Sequence, residues 1–142
     1  MGRAIARQIR NAIYDKYGGR CGYTGKPLDD TWQVDHKTPK CHPVWFQPEE
    51  TKQRMGFNYS CNDAENLIPT LAIVNHYKRE LDVEGFRRYL SKLHIRLSKL
   101  PKKTKVPRTE KRKQYMAKVS EAFGITPDKP FSGIFYFETI GK

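Results

Sequence analysis

Apolar residues recur at every fourth position near the start of the chain, at Ile5, Ile9, Ile13 and Tyr17, and Arg3, Arg7, Arg10 and Lys16 occupy the other side. This spacing predicts an amphipathic helix from Arg3 to Tyr17, stopped by Gly18-Gly19. Gly25 and Pro27 then predict a turn or hairpin ahead of a short strand from Thr31 to His36, with Trp32 and Val34 on one face. Between Lys37 and Cys61 no period persists and Pro39, Pro43, Pro48 and Gly56 punctuate the chain, so a long loop or insertion is expected there. Asn66-Leu67-Ile68 reads as a returning strand, and Thr70 to Leu81 has helical spacing, with Leu71, Val74 and Lys78 along one side.

The second half is more strongly helical. Asp82 is placed to cap a helix reaching about Lys99, with Phe86, Leu90, Leu93, Leu97 and Leu100 as its buried stripe. The basic, proline-punctuated run from Pro101 to Arg108 predicts an extended linker. Thr109 is expected to cap a further helix through Phe123, with Tyr115, Met116, Val119 and Phe123 apolar and Gly124 as its stop. The tail from Ile134 to Ile140 is rich in aromatic and β-branched residues and predicts a strand, Phe135 and Phe137 reading as alternating core positions rather than base-stacking groups. The expected fold is α+β, in one domain spanning residues 1–142.

Charge narrows the picture. Lys and Arg number 27 against 15 Asp and Glu, a formal +12 that attracts polyanions without separating DNA from RNA or anionic lipid. The longest apolar run, Leu67 to Val74, contains Pro69 and Thr70 and falls well short of the roughly 20 residues a membrane span needs. The first residues lack the apolar core of a secretion signal, and Cys21, Cys41 and Cys61 are odd in number and far apart, a poor disulfide framework. A cytoplasmic protein with free thiols is expected.

Candidate chemistry gathers in three places: Val34-Asp35-His36 at a strand end, Glu65-Asn66-Leu67 at the start of the returning strand, and Asn75-His76-Tyr77-Lys78 on the following helix. Taken singly, Asp-His is a surface pair, Asn66 a turn residue and Asn75 a polar helix position. Together, over Cys21 to Lys78, their order and spacing resemble the HNH endonucleases, in particular the phage and prophage type. The resemblance implies a ββα-metal core over residues 21–80, with a basic helical extension over 82–142. It further implies that Asp35 and Asn75 hold one divalent cation, that His36 is the general base, and that Asn66 braces the loop and orients His36. His76 is the alternative to Asn75 if the register slips by one residue.

The chemistry has its own logic. Phosphodiester hydrolysis needs a deprotonated water and neutralisation of charge on the phosphate. An imidazole titrates near neutrality. Carboxylate and carboxamide oxygens are hard donors suited to Mg²⁺, with Mn²⁺ as a substitute. One geometric difficulty accompanies this reading: neighbours on a regular strand point to opposite faces, so Asp35 and His36 serve one phosphate only if the strand is distorted or ends there. Lys37, Lys40, Lys78 and Arg79 near the motif, with Lys102, Lys103, Lys105, Arg108, Lys111, Arg112 and Lys113 beyond it, are the candidate phosphate contacts.

The chain departs from the family in one respect. Many HNH proteins carry a structural zinc on two Cys-x-x-Cys pairs, but here the corresponding positions read Cys21-Gly22-Tyr23-Thr24 and Leu71-Ala72-Ile73-Val74. No structural zinc is expected; Leu71, Val74 and the Cys21 thiol are expected to form an apolar cluster instead. An unorthodox zinc site from Cys21, Cys41, His42 and Cys61 matches no usual spacing. The partner expected is double-stranded DNA, cut by a monomer or homodimer in a bacterial or phage-infected cell. A DNA-binding module without cleavage and an RNA-directed nuclease are the rival readings.

Overall fold

The computed structural model describes residues 6–140. Its elements run α1 (Arg7–Lys16), β1 (Gln33–His36), α2 (Glu49–Arg54), β2 (Leu67–Thr70), α3 (Ala72–Lys78), α4 (Val83–Leu90), α5 (Leu93–Ser98) and α6 (Pro107–Phe123), with 3-10 turns at Pro43–Phe46, Ala64–Asn66 and Tyr136–Glu138. The architecture is α+β. The predicted first helix is present from Arg7, while Arg3 and Ile5 lie outside the described residues. Of its stripe, Ile13 and Tyr17 are buried and Ile9 stays 40% exposed.

β1 and β2 pair antiparallel, with Gln33 opposite Thr70, Asp35 opposite Ile68 and His36 opposite Leu67. All four residues of β2 are buried. The turn after α1 presses on its outer edge, where Gly22 donates its N–H to the Pro69 carbonyl at 2.8 Å. Pro69 has no N–H to offer, and as an edge residue it loses nothing by that. Gly22 is required for the approach: a Cβ there would lie 2.1 Å from Cγ1 of Ile68.

Behind the hairpin, Leu67, Ile68, Val74, Phe86, Leu90, Leu93 and Val119 are fully buried with Tyr23 and Phe135. Phe86 stacks on Phe135 with centroids 5.5 Å apart, and Tyr23 meets both rings edge-on. α6 packs on α3 and α5, so the C-terminal helices back the strand–strand–helix unit directly.

Four elements differ from expectation. The helix expected from Asp82 to Lys99 is broken at Ser91-Lys92 into α4 and α5. Asp82 does cap it, accepting the Gly85 N–H at 2.7 Å. Arg96 takes up the Tyr89 carbonyl at the break, at 2.8 Å. α6 starts at Pro107 rather than after Thr109, because proline at the first helical position gives up only an N–H that would be unpaired anyway. The stretch from Lys37 to Cys61 contains α2 and a 3-10 turn rather than being a bare loop.

The expected C-terminal strand is not formed. Residues 136–138 make a 3-10 turn instead. Its backbone needs are met by the turn after α1: Tyr136 and Phe137 donate to the Tyr23 and Gly22 carbonyls at 3.1 and 2.7 Å. The Glu138 carboxylate accepts the Phe135 N–H at 2.9 Å and is gripped by both guanidinium nitrogens of Arg87, at 2.7 and 2.8 Å. The aromatic residues thus serve as a plug, not a ladder. Among the described residues no helix is long and apolar enough to cross a membrane.

Candidate functional site

Asp35, 8% exposed, leaves β1 toward the core. Its Oδ2 accepts the Tyr23 hydroxyl at 2.7 Å and lies 3.0 Å from Nζ of Lys78, whose side chain is wholly buried. The same ammonium donates to the His36 carbonyl at 3.1 Å. A buried charge persists only when paired, and here Lys78 is the counterion of Asp35. Burial above all, then the Asp35 charge and hydrogen bond, pushes the Tyr23 phenol well above its ordinary range, so it remains a donor. Lys78, expected on the surface as a phosphate contact, is therefore placed inside, clamping the end of β1. The helical spacing that put it beside Leu71 and Val74 was the correct signal for its position.

Asn75 reaches β1 from α3, its Nδ2 donating to Oε1 of Gln33 at 2.6 Å. Gln33 and Asp35 lie two residues apart and share a strand face. The structure thus brings the two expected metal ligands to one side of β1. His76, the alternative to Asn75, turns away: its Nδ1 is 2.7 Å from the Tyr115 hydroxyl on α6.

His36 does not join them directly. β1 stays regular through His36, so no distortion folds the imidazole onto the Asp35 side. Its Nε2 is 2.8 Å from Oδ1 of Asn62, a contact that the tautomer with the proton on Nε2 satisfies.

Asn66 is fully buried and meets the backbone on both sides of the loop. Its Oδ1 accepts the Thr38 N–H at 2.9 Å, and its Nδ2 donates to the Thr38 and Cys61 carbonyls at 3.0 and 2.8 Å. The turn just after Asp35-His36 is thereby tied to the far end of the insertion. The contact with His36 is indirect, through this backbone.

Tyr23, Gln33 and Asn62 escaped the sequence reading. Gln33 was within reach of it, since the two-residue strand period places it beside Asp35. Tyr23 and Asn62 lie in aperiodic segments that carry no such signal.

As to metals, the oxygens available to a hard cation are the second carboxylate oxygen of Asp35 and the carboxamide oxygen of Asn75. Their chemistry fits Mg²⁺. With Lys78 already balancing Asp35, these two oxygens would hold a cation weakly unless an anionic ligand added charge and oxygens. Among the described residues no group of three or more His, Cys, Asp or Glu is placed to hold a metal ion. Cys21 and Val74 are fully buried in one core, with Leu71 packed against it. Cys41 is exposed, Cys61 is half-buried, and His42 faces Asp82 at 3.8 Å, so these do not converge on Cys21.

The basic candidates are distributed unevenly. Lys40, Arg79, Lys102, Lys103, Lys105, Arg108, Lys111 and Arg112 are exposed. Lys113 is half-buried and donates to the Lys102 carbonyl at 2.6 Å, folding the linker back on α6. Lys37 lies 5.0 Å over the Phe137 ring, its pKa lowered by burial and then by Lys16. No protein-family model matches this chain, and no curated protein or solved structure matches it either.

Proposed function

We propose that this protein is a metal-dependent DNA endonuclease of the HNH type, in which β1, β2 and α3 form the ββα-metal core. One observation carries the reading: the buried Asn66 carboxamide brackets the turn after Asp35-His36 while Asn75 meets the Asp35 face of β1. The order of Asp35, His36, Asn66 and Asn75 along the chain, which resembles the HNH pattern, supports the same reading.

Asp35 and Asn75 would hold the cation, which supplies Lewis-acid polarisation of the phosphate and stabilises the departing alkoxide. Lys78 and Tyr23 fix Oδ2 of Asp35, so its other oxygen is presented in one orientation. His36 takes a proton from water at Nδ1. Its side chain stands on the opposite side of β1, hydrogen-bonded to Asn62, and since β1 ends at His36 the phosphate would be seated across that strand end, within reach of both sides.

Nicking of supercoiled plasmid with Mg²⁺ or Mn²⁺ tests this. His36→Ala is expected to lower the rate by roughly 10²- to 10⁴-fold, the usual contribution of a general base, with the thermal midpoint unchanged. Wild-type activity no higher than that of His36→Ala would refute the proposal. It would favour the second reading, a DNA-binding module without cleavage, for which the pairing of Asp35 with Lys78 and of His36 with Asn62 are the specific features.

A further inference from the structure

A groove of about 750 Å³ lies where α3 gives way to α4, lined by Tyr77, Arg79, Glu80, Leu81 and Tyr89. Its volume is that of a small-ligand site. Tyr77 is buried and stacks on Tyr89, with centroids 4.8 Å apart and planes at 27°, and Tyr89 is 39% exposed. Arg96 holds the pair from α5, donating to the Tyr77 hydroxyl at 2.8 Å and lying 4.2 Å over the Tyr89 ring. The aromatic wall is therefore rigid.

Arg79 is the unusual member. Its φ of 55° and ψ of −131° form a backbone conformation natural to glycine, and among the described residues it is the sole non-glycine with positive φ. A side chain there is strained. The turn takes Arg79 off the helical path and into the groove, one residue beyond α3 and about 6 Å of axial rise from Asn75. Among the described residues no carboxylate pairs with its guanidinium. Strain retained at an exposed arginine, where glycine would be comfortable, points to a task for the charge.

The surroundings indicate the partner. Residues 96–118 carry ten Lys or Arg against Glu110 alone, +9 of the chain's +12, and α6, which bears half of them, packs on α3. We infer that the groove takes an unpaired nucleotide of the DNA strand, with its phosphate on Arg79 and its base against Tyr89 and Leu81. Glu80 offers an acceptor to base amino groups. The inference rests on the nuclease reading for nucleic acid as the ligand, and it adds that the preferred substrate has a single-stranded or gapped stretch beside the scissile bond.

The test measures binding of the full chain in EDTA, by anisotropy, to a single-stranded 12-mer and to the matching intact duplex. Arg79→Gly is expected to raise the thermal midpoint, by relieving the backbone, and to weaken single-strand binding about tenfold or more while moving duplex binding less. Tyr89→Ala should show the same selective loss. Unchanged single-strand binding in both variants, or an equal loss on both DNAs, would overturn the inference. Because no metal is present, absent cleavage with selective binding defeats only the nuclease reading; plasmid nicking with unaltered binding in Arg79→Gly defeats only this one.

Discussion

The strand–strand–helix unit and the helical region behind it are held together by different means. Around β1, a carboxylate, an ammonium, a phenol and two carboxamides are tied by hydrogen bonds at 2.6 to 3.1 Å, and Asp35, Lys78 and Asn66 are buried outright. Between α4, α6 and the C-terminal turn, stacked rings of Phe86, Phe135 and Phe137 fill the space. Apolar packing is tolerant of detail and stabilises roughly in proportion to area. A buried polar network is not, because each unpaired group costs more than its bond returned. The difference teaches that the aromatic region supplies stability for a polar unit whose arrangement is set by its hydrogen bonds.

The sharpest way to break this contrast is to truncate each side. Phe86→Ala should cost about 3–5 kcal/mol in urea unfolding. Lys78→Met should cost a similar amount by stranding the Asp35 carboxylate, whereas Asp35→Leu combined with Lys78→Met should recover part of it, since an apolar replacement of a buried pair is often neutral or better while the Tyr23 hydroxyl loses its acceptor. If the double variant stays as unstable as the single one, the ion pair is itself a net stabiliser and the contrast is wrong. A smaller effect is expected from Gly22→Ala, about 1–3 kcal/mol, as the new methyl displaces Ile68.

Alkaline pH probes the two regions together. The Tyr23 phenol is held well above its ordinary range, and that of Tyr77 is pushed up to about 12, burial being the main cause for both. A proton bound more tightly in the folded than in the unfolded chain stabilises below the unfolded pKa, and that contribution is lost as pH rises through the folded one. Stability should therefore decline above about pH 10, and Tyr23→Phe should make the decline shallower. An identical profile for the variant would remove Tyr23 from the account. Least disruptive of all, Lys111→Ala with Arg112→Ala should leave the fold intact and reduce the salt dependence of DNA binding, the log–log slope falling by roughly 2.

Much of the helical region was legible because period and punctuation are local properties. Ile13 and Tyr17, the Asp82 cap, the buried Phe86, Leu90 and Leu93, and the Gly124 stop all stand where patterning puts them. The tail misled because its composition suits a strand, yet Arg87 and Glu138, far apart in sequence, close a turn there instead.

The amino-acid order by itself determined the helices α1, α3, α4 and α6, the outgoing and returning strands, and the spacing that sets Asp35, His36, Asn66 and Asn75 on or beside β1, β2 and α3, since all of these follow from steric preference and burial within a few residues. Tertiary structure alone decided that the inward-facing Lys78 meets Asp35, that Asn62 holds His36, that Tyr23 completes the clamp, and that Arg79 is bent into an aromatic groove. Each of those joins residues whose partner is set by how the elements pack, and no local pattern encodes that.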